Sequence, residues 1–164
     1  MVAAFITAPL ISIPAALASQ TIFYPSQDQP VFSVTAPDDW VFTAAEDGED
    51  YFTLANEHGT TLYFRAIEGT EASFQEALDD AIAYVRTEYS EVTVGEPIRD
   101  THEGNPVIYA VGSGTDGDGN EYYFSFGFIA LPSGQIGEVW FEASVEDEEG
   151  IKTSDAILKT FSAH

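Results

Sequence analysis

The stretch FSVTAPDDWVF, residues 32–42, contains two short apolar runs separated by a proline and two aspartates. The first run alternates between apolar and small or polar side chains, which is typical of a β-strand. Pro37 cannot donate a hydrogen bond to a neighbouring strand, and Asp38 favours a turn. We therefore predict a strand, a turn, and a second strand over 40–45. Trp40 at the restart is predicted to plug the edge of the core, with a stacking platform for a ligand as the alternative.

The rest of the chain continues the strand pattern and is interrupted by one clear helical pattern. Further strands are predicted over residues 51–56, 60–67, 92–98, 105–113, 121–131 and 135–146. Residues 73–89 place apolar side chains at the i, i+3, i+4 and i+7 spacing of an amphipathic helix, and Ser73 with Glu76 predicts a capping box at its start. A closing helix is predicted over 149–161. The order ββββ-α-ββββ-α, with strands in runs, indicates an α+β fold with a mostly antiparallel sheet.

The N-terminal segment has the pattern of a targeting sequence. Residues 1–18 are apolar and uncharged and end in Ala-Leu-Ala, which predicts a secretory signal peptide cut before Ser19. The alternative is an ordinary apolar segment of a cytosolic protein. Residues 19–30 contain two prolines and several polar side chains and are predicted to be an extended linker. Residues 31–164 are then a single domain, and the expected location is periplasmic or secreted.

The charge of the chain is strongly unbalanced. It has 28 acidic and five basic residues and a formal net charge of −23. Such a charge repels phosphate groups, so we expect neither nucleic-acid binding nor direct binding to anionic lipid. The acidic residues form either a solvated surface, as in a salty habitat, or a face that attracts a basic partner. The absence of cysteine excludes disulfides, thiolate metal sites and cysteine nucleophiles.

One short motif and the order of elements resemble a known family. Phe32, Val34, Pro37 and Trp40 form an F-x-V-x-x-P-x-x-W pattern, and ILKTF at 157–161 ends the closing helix. Together with the central amphipathic helix, these features resemble the Mog1/PsbP-like family, which includes PsbP-like and DcrB-like bacterial exported proteins. The resemblance covers roughly residues 31 to 162. It implies an α/β/α sandwich and a non-enzymatic adaptor or accessory subunit, with no catalytic residues to transfer.

An alternating segment near the C-terminus suggests a binding surface. In GEVWFEASVE, residues 137–146, one face carries Glu138, Trp140, Glu142 and Glu146, while the other face is apolar and predicted to be core. The first face is either an outward surface on which a loop or helix covers the tryptophan, or an acidic-aromatic patch for a basic partner. Aromatic anchors surrounded by charge are typical of protein interfaces. A glycosidase-like pair of carboxylates is a further, weaker interpretation.

A second candidate site is the acidic loop TDGDGNEY, residues 115–122. Asp116, Asp118, Asn120 and Glu121 offer oxygen ligands of the kind that calcium prefers. The loop departs from the EF-hand pattern, because its sixth position is Glu121 where glycine is needed. The alternative interpretation is a hairpin turn between two strands.

The strand that follows this loop has two unequal faces. Phe124, Phe126 and Phe128 share one face and are predicted to be core, whereas Ser125 and Gly127 leave the other face thin. The thin face admits either a packed helix or a small ligand. No nucleophile elbow, zinc-binding helix or glycine-rich phosphate loop is present, so an enzyme of a familiar class is not expected. The leading hypothesis is an exported accessory protein that docks on a partner, a membrane-associated complex on its periplasmic side. The alternative is a protein that binds a small ligand or calcium.

Overall fold

A computed structural model describes residues 18–45 and 50–164 of the chain. The strands within these residues are β1 (Ser19–Tyr24), β2 (Phe32–Pro37), β3 (Val41–Thr43), β4 (Phe52–Ala55), β5 (Thr61–Ile67), β6 (Ser90–Val94), β7 (Ile98–His102), β8 (Asn105–Thr115), β9 (Glu121–Ala130), β10 (Ile136–Ser144) and β11 (Ser162–Ala163). The helices are α1 (Glu71–Glu88) and α2 (Glu148–Leu158). Residues 1–17 of the predicted signal peptide lie outside the described residues. So do residues 46–49, which connect the predicted strands at 40–45 and 51–56. In the described part, no helix is long and apolar enough to span a membrane.

The strands form two antiparallel sheets. The large sheet has the order β3-β4-β5-β10-β9-β8-β6, and β7 also pairs with β8. The small sheet has the order β1-β2-β11. Every pairing between described strands is antiparallel, which confirms the α+β class predicted from strands that come in runs.

The stretch at residues 32–42 carries the chain from one sheet to the other. The backbone N–H of Trp40 donates to the carbonyl of Pro37 at 3.0 Å, which closes the predicted turn between β2 and β3. Trp40 is only 3% exposed and belongs to the core, and Gln20 donates from its side chain to the Trp40 carbonyl at 2.7 Å. The structural role predicted for Trp40 is therefore confirmed. Strand β2 belongs to the small sheet and β3 to the large sheet, so this turn connects the two sheets.

Two hydrophobic clusters lie on opposite faces of the large sheet. The first cluster packs against the small sheet and α2, and its buried members are Phe32, Val34, Ala36, Trp40, Phe52, Leu54, Leu62, Phe64, Ile129, Leu131, Ile157 and Phe161. The second lies beneath α1, and its buried members are Ala77, Ala81, Val85, Ala110, Phe124, Phe126 and Phe128. The layers are thus α1, the large sheet, and the small sheet with α2, which is the predicted α/β/α sandwich. The alternating aromatic residues of β9 were predicted to be core, and the structure buries them beneath α1.

The predicted linker is wrong for its first half. Ser19–Tyr24 forms β1 and pairs with β2 in a continuous register from Ser19↔Pro37 to Tyr24↔Phe32. Ile22 and Tyr24 point to the same side of β1 and pack against the first cluster, and the Tyr24 ring stacks on Phe32 with centroids 5.0 Å apart. The two prolines that suggested a linker both follow this strand. The alternation of side chains in the residues before these prolines, with Ile22 and Tyr24 on one side, was the sequence signal for strand β1.

The polar segment at 99–105 also contains a strand that was not predicted. Strand β7 pairs with β8 through a tight turn in which Glu103 and Gly104 both have positive φ, 50° and 84°. Its side chains are almost all exposed, so the strand lacks the apolar alternation by which a half-buried strand is recognised.

The start of α1 differs from the prediction as well. The N-cap is Thr70, whose hydroxyl accepts from the backbone N–H of Ser73 at 3.1 Å. The predicted capping box of Ser73 with Glu76 is therefore wrong, because the helix begins one turn earlier. Ser73 is instead the third residue of the helix, and its backbone N–H is the donor that the Thr70 hydroxyl accepts from.

Candidate functional site

The acidic-aromatic face of β10 points towards α1. In the register with β5, Glu138 lies opposite Arg65 and Trp140 opposite Tyr63. Glu138 is 2% exposed and Glu142 is 7% exposed, while Trp140 is half-buried. The expectation that this row faces outward is therefore wrong for the two glutamates, because α1 and neighbouring side chains cover them. Contact of this face with a partner stays a prediction.

Glu146, the fourth residue of the predicted patch, lies past the end of β10 and is exposed. Its backbone N–H donates to the hydroxyl of Ser144 at 3.3 Å. The structure therefore separates it from the covered glutamates of the same row, in the turn that leads to α2.

A buried ion pair links β5 to β10. Arg65 donates from Nε to Glu138 Oε2 at 2.5 Å, and the indole Nε1 of Trp140 donates to Glu138 Oε1 at 2.7 Å. Arg65 also contacts Asp50, with Nη1 3.3 Å from Oδ1. Burial disfavours the charged guanidinium, but the hydrogen bonds and negative charges of Glu138 and Asp50 outweigh burial and raise the pKa of Arg65. Each oxygen of Glu138 is thus satisfied, and the carboxylate fixes the indole ring of Trp140.

Glu142 lies on the same face of β10, four residues beyond Glu138, and is the centre of a second hydrogen-bond network. Tyr89 donates from its hydroxyl to Glu142 Oε1 at 2.9 Å, and Tyr84 donates to Oε2 at 3.2 Å. Burial, followed by the negative charge of Glu142 and these hydrogen bonds, raises the pKa of both tyrosines. The same causes raise the pKa of Tyr63. The tyrosines are therefore neutral hydrogen-bond donors that hold a buried carboxylate between the sheet and α1.

Beside these networks, a cleft lies between α1 and the neighbouring strands β5 and β10, and Arg65, Glu138, Trp140 and Tyr84 of the networks line it. The cleft has a volume of about 360 Å³. Among the described residues, its lining contains five aromatic residues and three charged ones, namely Tyr51, Tyr63, Phe64, Tyr84, Trp140, Arg65, Asp80 and Glu138. The side chain of Phe64 belongs to the first cluster. We call it the aromatic cleft. The rings meet in two edge-to-face pairs: Tyr84 and Trp140 at 5.2 Å and 83°, and Tyr51 and Tyr63 at 5.8 Å and 63°.

Sequence reasoning identified Trp140 and Glu138 but missed the other side of the cleft. Strand β5 alternates as clearly as β10 does, with Leu62 and Phe64 in the core and Tyr63 and Arg65 on the opposite face. An arginine in the middle of a strand, in a chain with only five basic residues, was an available signal.

The predicted calcium loop is the hairpin turn between β8 and β9. Asp116 Oδ1 accepts from the backbone N–H groups of Asp118 and Asn120 at 2.9 and 2.8 Å, and Oδ2 accepts from the Asn120 side chain at 2.9 Å. These hydrogen bonds lower the pKa of Asp116. Glu121 begins β9 and is exposed. In the described part of the chain, no three His, Cys, Asp or Glu side chains are grouped as metal ligands. Calcium binding stays a prediction.

A second cavity of about 390 Å³ lies on the opposite face of the large sheet, beside α2. Ser125 and Gly127 line it, on the face that the sequence predicted to be thin. His102 lies at its edge and contacts the Phe161 carbonyl through Nε2 at 2.5 Å. A Cβ atom at Gly127 would lie 3.3 Å from the Cβ of Tyr109, so the glycine helps to keep this cavity open.

The sandwich described above is a Mog1/PsbP-like fold. The Ran-binding protein Mog1p of Saccharomyces cerevisiae matches it with a TM-score of 0.59 and 7% identity, over 90% of this chain and 96% of that chain. Cyanobacterial PsbP (CyanoP) from Synechocystis sp. PCC 6803 matches with a TM-score of 0.60 and 12% identity, over 96% and 100% of the two chains.

A protein of unknown function, PA94 from Pseudomonas aeruginosa, matches with a TM-score of 0.51 and 9% identity, over 88% and 97% of the two chains. No protein-family model matches the sequence, and no curated protein matches it either. At such low identity the similarity concerns the fold, and function has to be argued from the site.

Proposed function

We propose that this chain is a non-catalytic accessory protein that binds a partner protein with a basic surface, and that the aromatic cleft is the centre of the docking face. The observation on which this rests is the cleft itself. It combines half-buried aromatic rings, which are the usual anchors of protein interfaces, with carboxylates on a chain of net charge −23. Such a surface attracts a positively charged partner and accelerates encounter at low ionic strength.

The comparison with solved structures supports a binding role. One neighbour of the same fold, Mog1p, is described as a Ran-binding protein, so this sandwich is compatible with binding another protein. The hydrogen bonds of the buried glutamates support a structural role for them. Among the described residues, Glu138 and Glu142 are each held by two donors from nearby side chains.

The proposal includes export and action on a membrane-associated complex on its periplasmic side. The support for export is the apolar segment at residues 1–18 and its Ala-Leu-Ala ending. Strand β1 begins at Ser19, the first residue after the predicted cleavage position, so cleavage there would leave every described strand intact. N-terminal sequencing of the chain recovered from the source organism tests this part of the proposal.

Site-specific photo-crosslinking tests the docking face. A photoreactive amino acid replaces Tyr84, which is 38% exposed beside the cleft, or Val111, which is 48% exposed on the opposite face of the sheet. In native membranes at low salt, we expect one specific product with a basic protein from position 84, weaker at high salt and absent from position 111. The same products from both positions, or none from position 84, would contradict the proposal.

A second candidate function is small-ligand or calcium binding. The observation that favours a small ligand is the second cavity, whose lining is mainly apolar with a few polar groups, as in typical ligand sites. Calorimetry and thermal shift with calcium test the β8–β9 loop. Thermal shift with a panel of small apolar ligands tests the cavity, with Gly127→Leu as the variant that fills it. No heat and no change in Tm would reject this candidate.

A further inference from the structure

We infer that the aromatic cleft receives one cationic side chain, an arginine or a lysine, that projects from the partner protein. This inference rests on the proposed function and specifies the chemistry of its central contact. It follows from three properties of the cleft: the arrangement of its rings, the balance of its charges, and its size.

The rings of the cleft differ in orientation. Tyr84 stands edge-to-face on Trp140, and Tyr51 stands edge-to-face on Tyr63, so rings at steep angles to each other line the same space. The face of an aromatic ring carries negative charge density and attracts a cation within about 6 Å of the ring centre. Arginine binds such faces by stacking its planar guanidinium, whereas lysine binds them as a point charge.

The charges favour a cation over an anion. The positive charge of Arg65 is already engaged by Glu138 at 2.5 Å and by Asp50 at 3.3 Å. Asp80 lies on the exposed side of α1, lines the cleft, and has no ion-pair partner among the described residues. Among the residues that the structure describes, the cleft and its rim therefore hold one positive charge against three negative ones. An incoming cation gains Asp80 as its partner, while an anion would have to displace a carboxylate from Arg65.

The size of the cleft limits what can enter. Its volume of about 360 Å³ is near the lower end of the range of about 300–1,000 Å³ for ligand pockets. A single long side chain fits such a space, whereas a helix or an extended peptide segment does not. A long basic side chain places its alkyl part against the rings and its charged head at Asp80, which uses both the apolar and the charged parts of the lining.

A pair of isosteric peptides provides the test. The blocked tripeptide Gly-Arg-Gly is compared with the same peptide containing citrulline, which has the shape of arginine without its charge; Gly-Lys-Gly is compared with its norleucine analogue. Binding is followed by the fluorescence of Trp140, because Trp40 is 3% exposed in the core. At low salt, we expect each cationic peptide to bind at least about tenfold more tightly than its neutral analogue. Equal binding within both pairs, or no binding of either cationic peptide, would overturn the inference.

Matched variants locate the binding site. Asp80→Asn is expected to weaken arginine-peptide binding about three- to fivefold, whereas Asp79→Asn, which removes the same charge from the next position of α1 but outside the cleft lining, should change it less than twofold. Tyr84→Ala should weaken binding more than Tyr84→Phe, because phenylalanine retains the ring. Equal effects of the two aspartate variants would contradict the site.

The outcomes for the peptide and for the partner are separable. A partner that crosslinks at Tyr84 while the cationic peptides fail to bind would remove this inference and leave the proposed function standing. Peptides that bind at the cleft while position 84 yields no partner would refute the docking function and leave a cation-binding site to be explained.

Discussion

The ion pair beneath the aromatic cleft permits a quantitative test of the structure by the substitution Arg65→Met. Methionine keeps much of the length and apolar contact of the arginine stem but removes the guanidinium. Glu138, which is 2% exposed, would then retain only the hydrogen bond from Trp140 at 2.7 Å, and its Oε2 would have no donor from the protein. The variant thus leaves a buried carboxylate half satisfied.

The cost of this change follows from burial. Removing one partner of a buried ion pair typically costs about 3–5 kcal/mol, because the remaining charge is left uncompensated. The Arg65 side chain is 24% exposed and borders the cleft, so water can reach the vacated position. We therefore expect the lower end of this range, a loss of about 3 kcal/mol in the free energy of unfolding. Replacing Glu138 by Leu in the same chain should restore much of the loss, because it removes the stranded charge.

Urea denaturation followed by circular dichroism measures the effect. With an m-value of about 2 kcal/mol/M for a domain of this size, the urea midpoint should fall by about 1.5 M. Arg99→Met is the matched control, because Arg99 is exposed on β7 and its replacement changes the net charge equally. We expect the control to shift stability by less than about 0.5 kcal/mol. A midpoint for Arg65→Met that equals that of the control would show that the pair is not a buried element of this fold.

Three further substitutions test other parts of the structure by urea denaturation. Asp147→Ala should cost about 2 kcal/mol or more, because it removes the N-cap of α2 and the acceptor of a buried threonine hydroxyl; a loss below about 0.5 kcal/mol would contradict this role. Gly112→Ala should cost about 1–3 kcal/mol, because its Cβ would lie 2.4 Å from a phenylalanine ring, whereas Gly117→Ala meets nothing within 4 Å and should be neutral; equal effects would refute the packing. Burial and Glu142 raise the pKa of Tyr89 above the unfolded value of about 10, so this contribution to stability is full below that pH and declines above it. Tyr89→Phe should make the alkaline decline shallower, and an unchanged decline would contradict this assignment.

The fold could be predicted where apolar side chains recur with the period of a helix or a strand. Such patterns predicted α1 and the strands β2, β4, β5, β9 and β10. The burial of Trp40 was predicted as well. The prediction failed at the edges of the sheets. The alternation in β1 is short and is followed by two prolines that indicated a linker, whereas β7 is exposed and lacks the repeated apolar positions from which a strand is recognised.

Only the β10 side of the candidate site could be predicted from the sequence, because that prediction also depended on the alternation of side chains. Alternation correctly placed Glu138 and Trp140 on one face of β10, but alternation alone cannot say whether a polar face meets solvent or another layer. The missing information was the pairing of β10 with β5, which joins Arg65 to Glu138 over 73 positions of sequence. Two glutamates on one face suggested exposure. The structure instead satisfies Glu138 with donors from β5 and from β10 itself, and Glu142 with donors from α1 and its C-cap residue.

The buried carboxylates also explain why recognition at the cleft would depend on its rings and rim. Among the described residues, no buried side-chain polar atom lacks a hydrogen-bond partner, so each carboxylate oxygen of Glu138 and Glu142 is already engaged within the protein. Their hydrogen bonds instead hold Trp140 and Tyr84 in place before a ligand arrives. Fixed rings lose less side-chain entropy on binding, which makes an aromatic contact more favourable than the same contact with mobile side chains. Under the proposed function, the acidic residues of this face would therefore act in two ways: those inside orient the rings, and Asp80 at the rim would supply the charge for a basic partner.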